Sequence, residues 1–207
     1  MAIKAVVFDF GGVLVDWSPD YLYRKLIPDV EARRWFLTHV CTMDWVLRQD
    51  GGQSVAVGTA ELVARFPQYE ELIRAFYGRW TEMIAGLLDG GVATFDRLEA
   101  AGVPLYGLTN WSAETYPWAW ERFEVMRRCR DVVVSGHEKV VKPDPAIYRE
   151  MLRRIDVQLP GIAPEELVFI DDNPRNVEAA VKLGWHGVHH TSHAATDARL
   201  RELGLPV

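Results

Sequence analysis

Four short stretches hold the residues whose types could do chemistry together: Asp9 in Phe8-Asp9-Phe10-Gly11-Gly12, the pair Thr109-Asn110, Lys142 just before Pro143-Asp144-Pro145, and the pair Asp171-Asp172. Carboxylates gathered in one place repel one another and raise each other's pKa unless a cation sits among them. Hard oxygen donors that leave room for water and phosphate oxygens suit Mg²⁺, so Asp9, Asp171 and Asp172 together read as a magnesium site. A carboxylate is also a nucleophile, and a lysine beside it supplies the positive field that a transferring, charged group needs. The acidic pair has a plainer role open to it, as favourable charge at a helix N-terminus. For Asp172 and Asn173, capping and ligation are compatible.

Whether these stretches meet depends on the elements that carry them. The apolar run before Asp9, bounded by glycine, reads as a strand buried on both faces that delivers the carboxylate to its C-terminal end, with Gly11-Gly12 allowing a tight turn. Residues 104–108, 132–134, 167–170 and 187–190 read as further strands, and those at 104–108 and 167–170 end in Thr109-Asn110 and Asp171-Asp172. Helices alternate with them. The first carries Val92, Phe95, Leu98 and Ala101 on one face and stops at Gly102, and a short one is capped by Ser112 and limited by Pro117. A third has Asp144 as N-cap, Pro145 at its first position and Ile147, Met151 and Ile155 as its apolar face. A fourth follows Asn173-Pro174 and closes at Gly184, and a last one covers 194–203.

Strand-helix alternation of this kind means right-handed crossovers and a parallel sheet covered on both faces. Between Asp16 and Asp89 no strand is expected. That block reads as helices from about residue 20, over 31–40, over 54–65 and over 69–88, the last with Leu72, Phe76, Trp80, Met83 and Leu87 at helical spacing. The expected fold is therefore α/β: a doubly wound parallel sheet forming a Rossmann-like core, residues 1–15 and 90–207, with an inserted helical cap over 16–89. In open parallel sheets ligands bind beyond the C-terminal strand ends, which would gather Asp9, Thr109, Asn110, Lys142, Asp171 and Asp172 in one crevice.

At 207 residues, 49% hydrophobic and 25% charged, the chain can bury one good core with a smaller appended subdomain. A formal net charge of −6 argues against a nucleic-acid or anionic-membrane partner, so an anionic substrate must be met by local positive charge or a metal. Cys41 and Cys129 lie far apart and suit reduced thiols better than a disulfide, and no zinc spacing surrounds them. The chain enters a strand directly, without a signal-peptide layout or an apolar run of membrane-spanning length, which reads as a soluble cytoplasmic protein of open oligomeric state. Trp17, Trp35, Trp45 and Trp80 are expected to pack the helices. His186, His189, His190 and His193 invite a transition-metal reading, yet a strand sends His189 and His190 to opposite faces, so surface and strand-end positions are expected. Asp50, beside the Gly51-Gly52 turn, is a candidate for substrate contact on its location in the cap.

The four motifs, in this order and with a helical insertion after the first, resemble the haloacid dehalogenase-like hydrolase superfamily over nearly the whole chain. The resemblance implies a helical-cap phosphatase in which Asp9 attacks phosphorus and forms an aspartyl-phosphate. It implies that Thr109 and Asn110 hold the phosphoryl oxygens and that Lys142 stabilises the nucleophile and the transferring group. It further implies that Asp171 and Asp172, with Asp9 and the Gly11 carbonyl, hold Mg²⁺, and that the substrate is a small phosphorylated metabolite such as a sugar phosphate. One position departs from the pattern: the phosphatases usually carry a second Asp two residues after the nucleophile, and here that position is Gly11. A positioned acid-base contributes about 10²–10⁴-fold. The Gly-Gly form resembles a subset that includes sugar-1-phosphate phosphatases, whose hemiacetal leaving group needs protonation less. Two alternatives stay open. A 2-haloacid dehalogenase needs neither leaving-group protonation nor metal, but gains nothing from the acidic pair. A catalytically silent binding protein would explain Gly11, but not the retention of Asp9, Lys142 and both acids.

Overall fold

The apolar run Ala5–Phe8 is strand β1, buried at every position, and it lies at the centre of the sheet because no face of it tolerates water. The computed structural model describes residues 2–207. After β1 the chain forms β2 (Val15–Trp17), helices α1 (Pro19–Leu26), α2 (Val30–His39), α3 (Met43–Asp50) and α4 (Val55–Arg65), a 3₁₀ turn at Pro67–Tyr69, α5 (Glu70–Gly78), a second 3₁₀ turn at Trp80–Met83 and β3 (Ile84–Leu87). Then come α6 (Asp89–Ala100), β4 (Leu105–Thr109), α7 (Tyr116–Arg122), α8 (Glu124–Arg127), β5 (Val132–Val134), α9 (Ser135–Glu138) and α10 (Pro145–Gln158). A 3₁₀ turn at Pro164–Glu166, β6 (Leu167–Asp171), α11 (Pro174–Lys182), β7 (His186–His189) and α12 (His193–Glu202) complete it.

Five strands form one parallel sheet in the order β5-β4-β1-β6-β7, the doubly wound α/β arrangement expected from the alternation. The period of two divides β1 between the layers. Val6 and Phe8 pack with Phe95 and Leu98 of α6, whereas Ala5 and Val7 pack with Ile147, Met151 and Ile155 of α10 and with Phe169 and Trp185. Asp144 and Asn173 cap α10 and α11 as expected, each side chain accepting an N–H two residues on, with Pro145 and Pro174 in the first turns.

Three expectations about helices are corrected. Residues 69–88 are not one helix: α5 ends at Gly78, and after the 3₁₀ turn the chain becomes β3, which pairs antiparallel with β2 through Val15 opposite Leu87 and Asp16 opposite Gly86. Apolar spacing continues through the turn, so periodicity alone does not see the break, and the partner strand is remote in sequence. A helix not expected, α3, starts at Thr42, whose side chain accepts the Trp45 N–H at 3.2 Å. After β4, Pro117 sits in the first turn of α7 and does not end a helix there, because its missing N–H is harmless in that turn; Ser112 instead closes the turn before it, accepting from Glu114 N–H at 3.2 Å.

The helical insertion is held by aromatic packing. Tyr23 lies 5.0 Å from Phe36 and 6.2 Å from Phe76, centroid to centroid, and Trp45 lies 5.1 Å from Phe76 while its indole N–H donates to Gly58 O at 3.0 Å. Trp45 and Trp80 are buried and Trp17 packs partly buried against the core. Trp35 departs from the expectation: it is 43% exposed and stacks on His39. Cys41 and Cys129 are buried free thiols. Among the described residues no helix is long and apolar enough to cross a membrane.

Candidate active site

The register of the sheet brings the chemistry to one edge. Asp9 follows the last residue of β1, Thr109 ends β4 opposite Val134, and Asp171 ends β6 opposite His189. Asp9, Asp171 and Asp172 each offer a carboxylate oxygen within 4.8 Å of the others, the one group of three metal-capable side chains of its kind among the described residues.

Lys142 sits at the centre, essentially without solvent exposure. Its ammonium bonds Asp9 Oδ1 at 2.9 Å, Asp171 Oδ2 at 2.7 Å and the Leu108 carbonyl at 2.9 Å. Burial alone would lower its pKa; the two carboxylates outweigh that and hold it raised. Breaking such a buried group by removing one partner is costly, so the lysine fixes the acids in place as much as it neutralises them.

The acids differ in what they have left to give. Asp171 is fully buried and its oxygens are committed: they accept from Asn173 N–H at 2.8 Å, from Asn176 Nδ2 at 3.1 Å on both oxygens, and from Lys142. Asp9 spends Oδ1 on the Phe10 N–H at 2.7 Å and on Lys142, and Oδ2 is bonded to no described residue. Asp172 is the more exposed of the pair. Burial pushes Asp9 up to about 8, with Lys142 opposing and Asp171 adding to the rise; burial and then Asp171 also raise Asp172. A cation among these oxygens would relieve both, which is the test that the residues present meet for a bound divalent metal.

The two glycines after Asp9 do different things. Gly12 has φ +69°, and a Cβ there would lie 2.4 Å from Asp172 Oδ2, so only glycine lets that carboxylate approach the loop. At Gly11 a Cβ would meet nothing within 4 Å, and its φ is not in the left-handed region.

Of the remaining expected residues, Thr109 is buried and its hydroxyl is bonded to no described residue. Asn110 turns its amide away to the main chain of Lys142, donating to its carbonyl at 3.0 Å and accepting its N–H at 2.8 Å. The Asn110 side chain therefore positions the lysine. Asn176 and Ser135 join this edge from outside the four stretches. Asn176 is signalled only by a polar residue on the buried side of α11, and Ser135, whose hydroxyl accepts the Trp111 N–H at 2.9 Å, has no signal beyond its place after β5. The histidines do not converge on one point: His186 and His189 bond the Glu165 and Asp172 carbonyls, and buried His190 bonds Thr196 Oγ1 at 2.7 Å, its pKa lowered by burial and then by His193 and His189.

A family model described as haloacid dehalogenase-like hydrolase matches residues 3–184. A sesquiterpene phosphatase of Aspergillus oryzae is 28% identical over 206 residues, 97% of this chain and 96% of that protein. An N-acetylmuramic acid 6-phosphate phosphatase of Pseudomonas aeruginosa is 28% identical over 95% of this chain and 90% of its own length. Among solved structures, a Bacteroides thetaiotaomicron enzyme of the same family, in complex with magnesium and inorganic phosphate, superposes with a TM-score of 0.62 at 19% identity, covering 91% of this chain and 94% of that one.

Proposed function

The chain belongs to the haloacid dehalogenase-like hydrolase family, and we propose that it is a magnesium-dependent phosphomonoesterase that acts on a small phosphorylated metabolite of the sugar phosphate type through an aspartyl-phosphate on Asp9. The observation that carries this reading is the single ammonium of Lys142 clamped between Asp9 and Asp171, with Asp172 completing a cluster of acids within 4.8 Å. A metal-free dehalogenation site would bear the repulsion of that cluster for no return. The phosphatases among its relatives, and the magnesium and phosphate in the Bacteroides structure, support the same choice.

In this mechanism Asp9 presents Oδ2 to phosphorus while Oδ1 stays bonded to Lys142 and the Phe10 N–H, so the attacking oxygen is oriented before substrate arrives. Lys142 carries positive charge to the transferring group, and Thr109 offers its hydroxyl to a phosphoryl oxygen. Asp9, Asp172 and the Gly11 carbonyl would hold Mg²⁺ directly, with Asp171, its oxygens already engaged, bracing the lysine from the far side. When bound, the ion supplies charge stabilisation to the phosphoryl oxygens. Residues 16–89 act as a cap that excludes water and selects the substrate.

The test is a side-by-side screen of sugar phosphates, aryl phosphates and 2-haloacids with and without Mg²⁺. Phosphate release that EDTA abolishes is the expected result. Halide release without metal would replace this reading by dehalogenation, and silence on every substrate would leave a binding protein on the same fold.

A further inference from the structure

Gly11 leaves the core without a side-chain acid beside the nucleophile, although a Cβ there would meet nothing within 4 Å. The insertion brings a carboxyl to the same edge of the sheet. Asp50 ends α3, and its carbonyl accepts the Ser135 hydroxyl at 2.6 Å. The next residue packs on the core as well: a Cβ at Gly51 would lie 3.5 Å from Val141 Cγ1, the side chain just before Lys142. Gly52 faces Gly136 and Lys139, and at the far end of this loop the Val55 N–H donates to Glu114 Oε1 at 2.7 Å. The α3–α4 loop is thus latched onto the two core loops that carry Asn110 and Lys142.

The Ser112 N–H, two residues beyond Asn110, faces the Asp50 carboxyl and favours its charged form. The ionisable groups around it are Tyr77 from α5, Glu114 from the loop after β4, Lys139 at the end of α9, and Lys142, whose charge acts on it directly. Burial outweighs the Ser112 N–H and Lys142 and pushes Asp50 up to about 7. A group that must give and take a proton near neutral pH works best at such a value.

Resting on the phosphatase reading above, we propose that Asp50 is the proton-transfer residue of this site, delivered by the insertion in place of the acid absent at Gly11. As Asp9 bonds to phosphorus and the P–O bond to the leaving group breaks, the Asp50 proton goes to the leaving oxygen, giving the alcohol, the aspartyl-phosphate and an Asp50 carboxylate. That carboxylate then takes a proton from the water whose oxygen attacks phosphorus. The bond to Asp9 breaks, phosphate leaves, and Asp50 is protonated again.

Asp50→Asn keeps the size of the side chain and the main-chain bond to Ser135, so it tests proton transfer and leaves the latch in place. On the magnesium-loaded full chain, kcat/KM for an alkyl phosphate should fall about 10²-fold or more, while that for p-nitrophenyl phosphate, whose leaving group needs no proton, should fall less than about tenfold. The wild-type ratio of the two rates should change with pH around 7, and the variant's should not. Gly11→Asp placed in the Asp50→Asn background should restore the alkyl rate. Independently of any variant, the dependence of the wild-type rate on leaving-group pKa should steepen as pH rises past 7, where Asp50 loses its proton. Equal losses on both substrates, or a slope unchanged across pH 7, would overturn the role of Asp50 while leaving the phosphatase reading intact. Failure of the wild type to release phosphate from any ester would overturn both.

Discussion

The two halves of this molecule are held by different forces. At the core edge, Asp9, Lys142, Asp171 and Asn176 are buried polar groups whose partners come from different strands and helices, and each is paired with another. In the insertion the contacts are mostly rings on rings, with Tyr23, Phe36, Trp45 and Phe76 in aromatic contact and α1, α2 and α3 capped by their own neighbours in sequence. Polar networks tolerate one geometry, because an unpaired buried charge is expensive, whereas apolar packing tolerates exchange at similar volume. The buried network at the core edge is therefore held in one geometry, and the insertion meets it through the latched α3–α4 loop. Elsewhere the insertion can exchange side chains of similar volume.

The sharpest break of this contrast is Asp9→Asn. An amide keeps the hydrogen-bonding shape but is a poor nucleophile, so turnover should drop by roughly 10⁴-fold or more while the circular dichroism spectrum stays that of the folded protein. A variant retaining substantial phosphate release would show that water attacks directly.

Next in size is Lys142→Met, which leaves two buried carboxylates facing each other. It should cost about 3–5 kcal/mol in urea unfolding of the metal-free protein. In the insertion, Trp45→Phe gives up one hydrogen bond to Gly58 and some area, and should cost about 1–3 kcal/mol by the same measurement. Equal costs would erase the distinction between the two halves.

A pH titration sharpens the same point. Ligation needs Asp9 ionised, and burial pushes that group up to about 8, so below that value a proton must leave as the metal binds. Apparent Mg²⁺ affinity should fall by up to about tenfold per unit as pH drops below about 8, and should level off above it. Calorimetry in two buffers of different ionisation enthalpy would count the released proton. Affinity flat from pH 6 to 9 would mean that Lys142 already keeps Asp9 ionised without metal.

The smallest expected effects separate adjacent glycines. Gly12→Ala places a Cβ 2.4 Å from Asp172 Oδ2 at a φ of +69° and should cost about 1–2 kcal/mol and weaken Mg²⁺ binding. Gly11→Ala meets open space and should be within about 0.5 kcal/mol of wild type. Thermal melts with and without metal read both.

The sequence by itself determined the parallel sheet and which polar residues end its strands. Runs such as Ala5–Phe8 and Leu167–Asp171 are apolar throughout because both faces are covered, and parallel strands must end together, so Asp9, Thr109 and Asp171 could be placed in one crevice from local pattern alone. Lys142 was legible from its place before the capped start of α10, but its seat between two carboxylates was not. Only the tertiary structure decided that β2 would pair with β3, that the Asn110 amide would bind the main chain of Lys142, and that the Asp50 main chain would reach Ser135 from the insertion. The reason is physical. Periodicity reports which way a residue points relative to its neighbours in sequence. Which of two compatible partners a polar group takes is settled only when remote segments close on one another, and burial then makes the alternatives too costly to keep.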